Sequence, residues 1–296
     1  MHRHGFVLMV LAFLLAPLSA RSQERRAIEE HVVVISIDGL RPDAIPKAPA
    51  SQMLALIKAG AYCPKARTVQ PSTTLPSHAS MLTGLDCPHH KVLHDEYKAG
   101  CLASPTVMSI AKEGDRTTAM FFGKDKFHYL VRPASVDFLY ANEPGKATCD
   151  TTTEGIVKIF SEQWSEKKFA FTFVQIGEVD EVGHFNGWMS APYLKAVEKA
   201  DSAVGAIVDV IKKSGRWENT VLIVTSAHGG SGIAHLDNTP ENSTIPWICV
   251  GPRVRPGLII TRGVRVYDTA ATALALLGLP MPRVMDGKVV VEILAK

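Results

Sequence analysis

The chain has 296 residues, of which 46% are hydrophobic, 21% charged and 7% aromatic, and its formal net charge is +3. This composition excludes a disordered chain, a collagen-like chain and a small disulfide-dense protein. Its 32 basic and 29 acidic residues nearly balance, so the sequence offers no excess of basic charge for binding a nucleic-acid duplex.

The first twenty residues have the pattern of a secretory signal peptide. Met1–His4 includes Arg3, Phe6–Leu15 is apolar, and small residues lead up to Ala20. This apolar run is too short to span a bilayer, which needs ~20 residues. We therefore expect cleavage after Ala20, export to the periplasm or the extracellular space, and a mature chain, 21–296, without a membrane segment. An uncleaved anchor is the alternative.

Apolar, β-branched runs predict the strands of a sheet. The strongest are His31–Ile37, Phe169–Ile176 and Thr220–Ser226, and Thr117–Phe122 and Ile245–Val250 are weaker. Apolar runs without alternation are typical of strands that are buried on both faces, as in parallel sheets. The sequence therefore predicts a mostly parallel central sheet.

Helical patterns lie between these strands. One helix is predicted between a cap at Ser104 and a terminating Gly114. The apolar stripe of Tyr193–Lys213 predicts a second helix, and Asp268–Leu277 predicts a third. Strands that alternate with helices predict a three-layer α/β/α sandwich.

No internal repeat and no obvious linker divides the chain. We therefore expect residues 21–296 to form a single domain. Residues 96–168 are the longest stretch between the sequence motifs described below. This segment is interpreted either as a cap over the site or as ordinary sheet and helix of the core.

Ligand-type side chains follow the three strong strands. Asp38 follows the first strand, Asp180 and His184 follow the second, and His228 and then His235 follow the third. Ligands of open α/β sheets bind beyond the carboxyl ends of the strands. A carboxylate and an imidazole four residues apart can face one cation if the backbone is helical or tightly looped. Each residue alone is also a common turn or loop residue, but together they predict a metal site.

A segment rich in serine and threonine lies between the first two strong strands. Pro71–Pro76 predicts a loop, and Ser77–Leu82 predicts a short helix with Ser77 as its cap. A hydroxyl just before a helix would meet backbone N–H groups and the positive end of the helix dipole. This arrangement favours a phosphoryl or sulfuryl group beside Thr73 or Thr74. A surface turn without chemistry is the alternative.

The order and spacing of these blocks resemble the nucleotide pyrophosphatase/phosphodiesterase branch of the alkaline phosphatase superfamily. The matching blocks are SIDGLRPD (36–43), TTLPSHASMLTGL (73–85), PHHKVLHD (88–95), GEVDEVGH (177–184), TSAHGG (225–230) and AHLDN…IPWICVGP (234–252). The resemblance runs from about residue 31 to MDGK at 285–288, which is nearly the whole mature chain. It implies an alkaline phosphatase-like fold.

The resemblance also implies a hydrolase of phosphoric esters. Its nucleophile would be Thr74, which would form a phospho-threonine intermediate with a small phosphate ester or nucleotide. The family uses two divalent ions, usually zinc, which favour the alkoxide of the hydroxyl and carry leaving-group charge. One ion would be held by Asp180, His184 and His235.

The site implied for the other ion departs from the family pattern. Its ligands would be Asp38, Thr74 and His228, but Ala227 stands where the family has an aspartate. Asp95 stands where the family has an asparagine that binds a phosphate oxygen, and a carboxylate there costs free energy unless a cation or a proton intervenes. Three interpretations follow: Asp95 supplies the lost carboxylate, the second ion binds weakly and activity is slow or metal-dependent, or the protein only binds.

Other functions remain as alternatives. Sulfatases of the superfamily carry C/S-x-P-x-R, whereas this chain has TLPSH at 74–78, so a sulfatase is not expected. A phosphomonoesterase is the main alternative, because Arg41, Lys124 or Lys126 could face an extra negative charge. These cations could equally be solvated at the surface. A catalytically impaired binding protein is the third candidate because of Ala227.

Overall fold

The computed structural model describes residues 30–294. The expected signal peptide, residues 1–20, lies outside the described residues. Among the residues that are described, no helix is both long enough and apolar enough to cross a membrane.

One sheet of eight strands organises the described part of the chain. The strands are β1 (His31–Ile37), β2 (Ala61–Arg67), β3 (Thr118–Phe121), β4 (Phe138–Tyr140), β5 (Phe171–Ile176), β6 (Thr220–Thr225), β7 (Thr244–Val250) and β8 (Leu258–Ile259). Their order is β4-β3-β5-β1-β6-β7-β2-β8. Only β7 runs antiparallel to its neighbours in this sheet, so the prediction of a mostly parallel sheet is confirmed.

Helices lie on both faces of this sheet. They are α1 (Ser51–Ala59), α2 (Thr74–Thr83), α3 (Cys87–His90), α4 (Val107–Glu113), α5 (Thr153–Glu166), α6 (Glu178–Asn186), α7 (Ala191–Lys213), α8 (Pro240–Ser243) and α9 (Asp268–Leu276). Val32 and Val34 of β1 share one buried cluster with α2, α4 and α9. Val33 and Ile35 share the other with α1, α5 and α7. Because neighbouring residues of a strand point to opposite faces, the continuous apolar run of β1 contributes to both layers, and the three-layer α/β/α prediction is confirmed.

Two helices begin at residues that the sequence did not predict. Helix α4 is capped by the side chain of Thr106 rather than by Ser104. Helix α2 begins at Thr74, so the predictions of a loop through Pro76 and of a cap at Ser77 were wrong. Pro76 is the third residue of this helix, where the backbone N–H would have no partner within the helix and its absence costs little.

The carboxyl ends of β1, β5 and β6 lie level with one another. The strand register pairs Ile37 with Ile176 and Ser36 with Thr225. The residues that follow these three strands therefore meet at one edge of the sheet. Residues 96–168 supply β3, β4 and α5, so these parts of the segment are core structure, and the turn after β3 lies at the same edge.

Candidate active site

Helix α6 presents the first two ligand-type side chains. Asp180 and His184 are one turn apart on this helix, and His184 Nε2 lies 3.5 Å from Asp180 Oδ1. The helix lies close to the end of β1, because Gly39 has a φ of 73° and a Cβ there would lie 2.9 Å from the Cα of Asp180. A positive φ is readily adopted by glycine but rarely by other residues. The local backbone at Gly39 therefore decides where Asp180 lies.

His235 completes this group from the loop that follows β6. Its Nε2 lies 3.1 Å from His184 Nε2 and 3.8 Å from Asp180 Oδ1. The ligand atoms of the three residues all lie within 4.8 Å of one another. One carboxylate and two imidazoles at this spacing form a donor set that suits zinc.

Backbone carbonyl groups orient all three histidines of the site. The distances from Nδ1 to the carbonyl oxygen are 2.9 Å for His184–Ile233, 2.8 Å for His228–Gly229 and 2.7 Å for His235–Ser72. Since a carbonyl oxygen only accepts hydrogen bonds, Nδ1 of each ring carries a proton, and Nε2 faces the carboxylates of the site. Metal-binding histidines are held in this way.

A second group surrounds the threonine hydroxyl. Thr74 is the first residue of α2, and its Oγ1 lies 3.3 Å from His228 Nε2 and 3.4 Å from Asp38 Oδ2. His228 Nε2 lies 3.2 Å from Asp38 Oδ1. All three side chains are buried. Ala227, beside His228, is also buried and offers no ligand atom.

The ammonium group of Lys124 joins the two groups. Its Nζ lies 2.6 Å from Asp38 Oδ2 and 2.5 Å from Asp180 Oδ2, and its side chain is only 14% exposed. The interpretation of Lys124 as a surface cation was therefore wrong. Against the effect of burial, the two carboxylates raise the pKa of Lys124 above its ordinary value. Burial opposes the charged form of Asp38 too, yet Lys124 and His228 hold its pKa well below the usual range.

The residues present fit a divalent ion at the Asp180–His184–His235 group. Burial, and secondarily His228, lowers the pKa of His235 to about 4, so this ring is neutral at neutral pH and can bind a metal. Oδ1 of Asp180 is buried without a hydrogen-bond partner among the described residues, as is Oδ1 of Asp38. A buried oxygen of this kind costs free energy unless a cation contacts it. Ligand atoms of Asp38, Asp180 and His228 also lie within 4.8 Å of one another, but this second group shares Asp180 with the first, and Ala227 adds no ligand atom to it.

Asp95 follows α3 in the sequence, and its side chain contacts the start of α2. Its Oδ1 accepts a hydrogen bond of 2.7 Å from the backbone N–H of Leu75, and its Oδ2 contacts Lys126 Nζ at 2.8 Å. Within the described chain, Asp95 belongs to neither of the two ligand groups. The geometry thus gives no support to the interpretation that Asp95 replaces the carboxylate lost at Ala227. Lys126 is the cation that would offset the charge of the Asp95 carboxylate beside a phosphate group.

Sequence reasoning left the roles of the two lysines open. Both follow β3, in the sequence GKDK at 123–126, and the carboxyl end of β3 lies at the edge of the sheet where the site is. Their position directly after a predicted strand was a signal that they could lie near the site. The neighbouring sequence did not show that this turn folds over the site. The third candidate cation, Arg41, contacts Asp43 at 2.9 Å and the carbonyl of Gly230 instead.

The fold and this site define the class of the protein. Murine ectonucleotide pyrophosphatase/phosphodiesterase 5 aligns with a TM-score of 0.76 at 16% identity, over 90% of this chain and 100% of that chain. An inactive threonine-to-alanine variant of the murine protein, in complex with AMP, aligns equally well at 15% identity, with the same coverage. The chain therefore has the same fold as this pyrophosphatase/phosphodiesterase, an α/β fold with a mostly parallel sheet.

The family follows from the sequence itself. The family model described as type I phosphodiesterase/nucleotide pyrophosphatase matches residues 32–247. The chain therefore belongs to this family of phosphoester hydrolases, which confirms the predicted resemblance.

Two curated relatives match this chain over only part of their own length. Human ectonucleotide pyrophosphatase/phosphodiesterase family member 5 is 23% identical over 249 residues, which are 75% of this chain and 49% of that protein. A 2,3-bisphosphoglycerate-independent phosphoglycerate mutase from Ectopseudomonas mendocina is 35% identical over 135 residues, which are 43% of this chain and 24% of that enzyme. The chain thus spans less than half the length of these relatives.

Proposed function

We propose that this protein is an exported, metal-dependent phosphodiesterase that cleaves small phosphate esters or nucleotides with Thr74 as its nucleophile. One observation carries the proposal: the Thr74 hydroxyl, buried at the first residue of α2, lies within 3.4 Å of both Asp38 and His228. Membership of the phosphodiesterase/pyrophosphatase family supports the reaction class.

The chain supplies one proton acceptor for the hydroxyl. In the proposed reaction, Thr74 Oγ1 attacks phosphorus, and its proton passes to Nε2 of the neutral form of His228, 3.3 Å away. The oxygen–phosphorus bond to the leaving group breaks as the new bond forms. Hydrolysis of the phospho-threonine then restores the hydroxyl and releases a phosphate monoester.

The site contains positive charge that offsets the negative charge of its two buried carboxylates. Asp38 and Asp180 alone would repel an anionic phosphoryl group, and the Lys124 ammonium group between them reduces this repulsion. Asp180, His184 and His235 would hold a divalent ion, which would add positive charge and Lewis-acid chemistry to the site.

Apolar side chains beside two of the histidines suit an organic leaving group. Phe185 follows His184 in the sequence, and Leu236 follows His235. The side chains of Phe185 and Leu236 are 88% and 69% exposed. Contiguous exposed apolar patches are typical of binding surfaces, and we propose that these two side chains contribute to one for the leaving group. The AMP complex of the murine relative supports a nucleotide as the substrate class.

Turnover of two chromogenic esters tests the proposal. We expect hydrolysis of bis(p-nitrophenyl) phosphate with added zinc and little hydrolysis of p-nitrophenyl phosphate. Thr74→Ala should lower kcat by on the order of 10³ or more, whereas the matched variant Thr74→Ser keeps a hydroxyl and should retain measurable turnover. Preference for the monoester would support the phosphomonoesterase alternative. Full turnover by Thr74→Ala would exclude Thr74 as the nucleophile.

A further inference from the structure

The geometry points to a site that binds one divalent ion, with the Lys124 ammonium group as its second, permanently attached cation. This inference deepens the proposed function and rests on it, since it concerns the same site. It assigns Lys124 as a positioning residue that holds Asp38 and Asp180. It also predicts that the Asp38–Thr74–His228 group works without a metal ion of its own.

The first argument concerns which carboxylate oxygens Lys124 uses and which remain for a divalent ion. Lys124 Nζ contacts Oδ2 of both Asp38 and Asp180. The Oδ1 atom of Asp180 has no hydrogen-bond partner among the described residues and faces His184, His228 and His235. Asp180 can therefore serve the lysine with one oxygen and an ion with the other.

On the Asp38 side, the lysine and an ion would compete. The Thr74 hydroxyl and Lys124 Nζ both contact the same oxygen, Asp38 Oδ2. An ion that bound the threonine would need the oxygen of Asp38 that Lys124 Nζ holds at 2.6 Å, while the other oxygen, Oδ1, lies 3.2 Å from His228 Nε2. An ion at the Asp180–His184–His235 group instead uses Asp180 Oδ1, which Lys124 does not contact.

The second argument is charge balance. Ala227 removes one negative charge from the ligands that the family resemblance implies. An ammonium group in place of a divalent ion removes one positive charge. The two departures therefore compensate each other, and the net charge of the site is the one that two ions and a third carboxylate would have given. Asp95 is the other candidate for this compensation, but its two carboxylate oxygens already accept hydrogen bonds from the Leu75 N–H and from Lys126 Nζ.

The third argument is that the chain fixes Lys124 in place. The residue directly precedes the 3₁₀ turn Asp125–Leu130, and the N–H of Gly123 donates to Gln175 Oε1 at 3.2 Å. Gly177 lies against the lysine stem, since a Cβ there would be 3.4 Å from Lys124 Cε. A side chain that is confined in this way on three sides has a defined position rather than the freedom of a surface lysine.

Metal counting tests the inference without reference to turnover. The wild-type protein is loaded with zinc, dialysed, and analysed by elemental analysis and native mass spectrometry. We expect one zinc per chain, and one anomalous peak, at Asp180, His184 and His235, in zinc-soaked crystals. Two zinc ions per chain, or none, would overturn the inference.

Variants make the test sharper. The double variant Lys124→Met/Ala227→Asp replaces the ammonium group and restores the carboxylate, so it should bind two zinc ions. Lys126→Met, a matched control two residues away, should still bind one. A folded double variant that binds only one ion would count against the inference, and if the double variant does not fold, the wild-type count decides alone. One zinc per chain without diester hydrolysis would contradict only the proposed function, whereas two ions with hydrolysis would contradict only this inference.

Discussion

The two halves of the site differ in how they provide positive charge. The half formed by Asp180, His184 and His235 has three ligand atoms and opens to solvent through His184, whose side chain is 46% exposed. The half formed by Asp38 and Thr74, with His228, is buried, and its cation is a lysine of the chain itself. This contrast indicates that an exchangeable ion belongs to the exposed half, whereas the buried half uses a cation that cannot dissociate from the chain.

Removal of one histidine from each half should separate them most strongly. His184→Ala removes a ligand, so we expect zinc affinity to fall by about 100-fold or more, since even outer-sphere partners contribute 10–100-fold. His228→Ala should abolish most turnover yet leave zinc affinity near the wild-type value. Competition with a chromophoric chelator measures both affinities. Equal losses of zinc affinity in the two variants would show that both halves bind ions.

The exposed half was predictable from the sequence and the lysine was not. Asp180 and His184 are four residues apart after a strong strand, and this spacing brings two side chains to one face of a helix. The position of Asp38 follows from the parallel sheet, whose strands end at one edge. Lys124 comes from a short strand whose place beside β5 depends on pairing between residues far apart in the chain. Local patterns do not contain that information.

The position of Asp180 should change when a methyl group is added at Gly39, where β1 approaches α6. In Gly39→Ala, a φ of 73° becomes unfavourable and the new Cβ meets the Cα of Asp180 at 2.9 Å. Gly215→Ala is a matched control, because its φ is 72° and nothing lies within 4 Å of its Cβ.

A left-handed conformation costs roughly 1–2 kcal/mol for a residue with a Cβ. We expect this loss of unfolding free energy in both variants, with a further loss for Gly39→Ala. Only Gly39→Ala should weaken zinc binding as well, because it displaces Asp180. Thermal denaturation with and without zinc measures both effects. An equal response of the two variants would mean that the close approach at Gly39 does not position Asp180.

Stability in acid should depend on a histidine outside both halves. His90 on α3 is buried, and its Nδ1 accepts from the N–H of Val92, so protonation would place two N–H groups against each other. Burial lowers the pKa of His90 from 6.5 to about 4. The unfolded chain therefore binds a proton over this interval that the folded chain does not.

The free energy of unfolding should then fall as the pH is lowered from 6.5 to 4, by about 1.4 kcal/mol per pH unit for such a histidine. His90→Gln should reduce this slope in urea denaturation experiments. This control matters for the comparison of the two halves, since it separates acid unfolding from titration of the site. An unchanged slope would exclude His90 as a source of the acid sensitivity.

The smallest expected effect concerns the pair Asp95–Lys126, which adjoins the buried half but contacts no ligand of the ion. Asp95→Asn removes a negative charge near the proposed phosphate position and leaves Lys126 free to contact the substrate. The two side chains are 34% and 21% exposed, so their charges are partly screened. Interactions of this kind are worth up to about 1 kcal/mol, or roughly fivefold in an equilibrium.

We therefore expect Asp95→Asn to lower KM for bis(p-nitrophenyl) phosphate by up to about fivefold and Lys126→Met to raise it by a similar factor, with little change in kcat or zinc content. Steady-state kinetics measures KM and kcat separately. A fall in kcat without a change in KM would instead mean that Asp95 acts through the start of α2, where its Oδ1 binds the N–H of Leu75. Loss of zinc from Asp95→Asn would mean that its carboxylate serves the ion after all, and the charge balance assigned to Lys124 would then need a different partner.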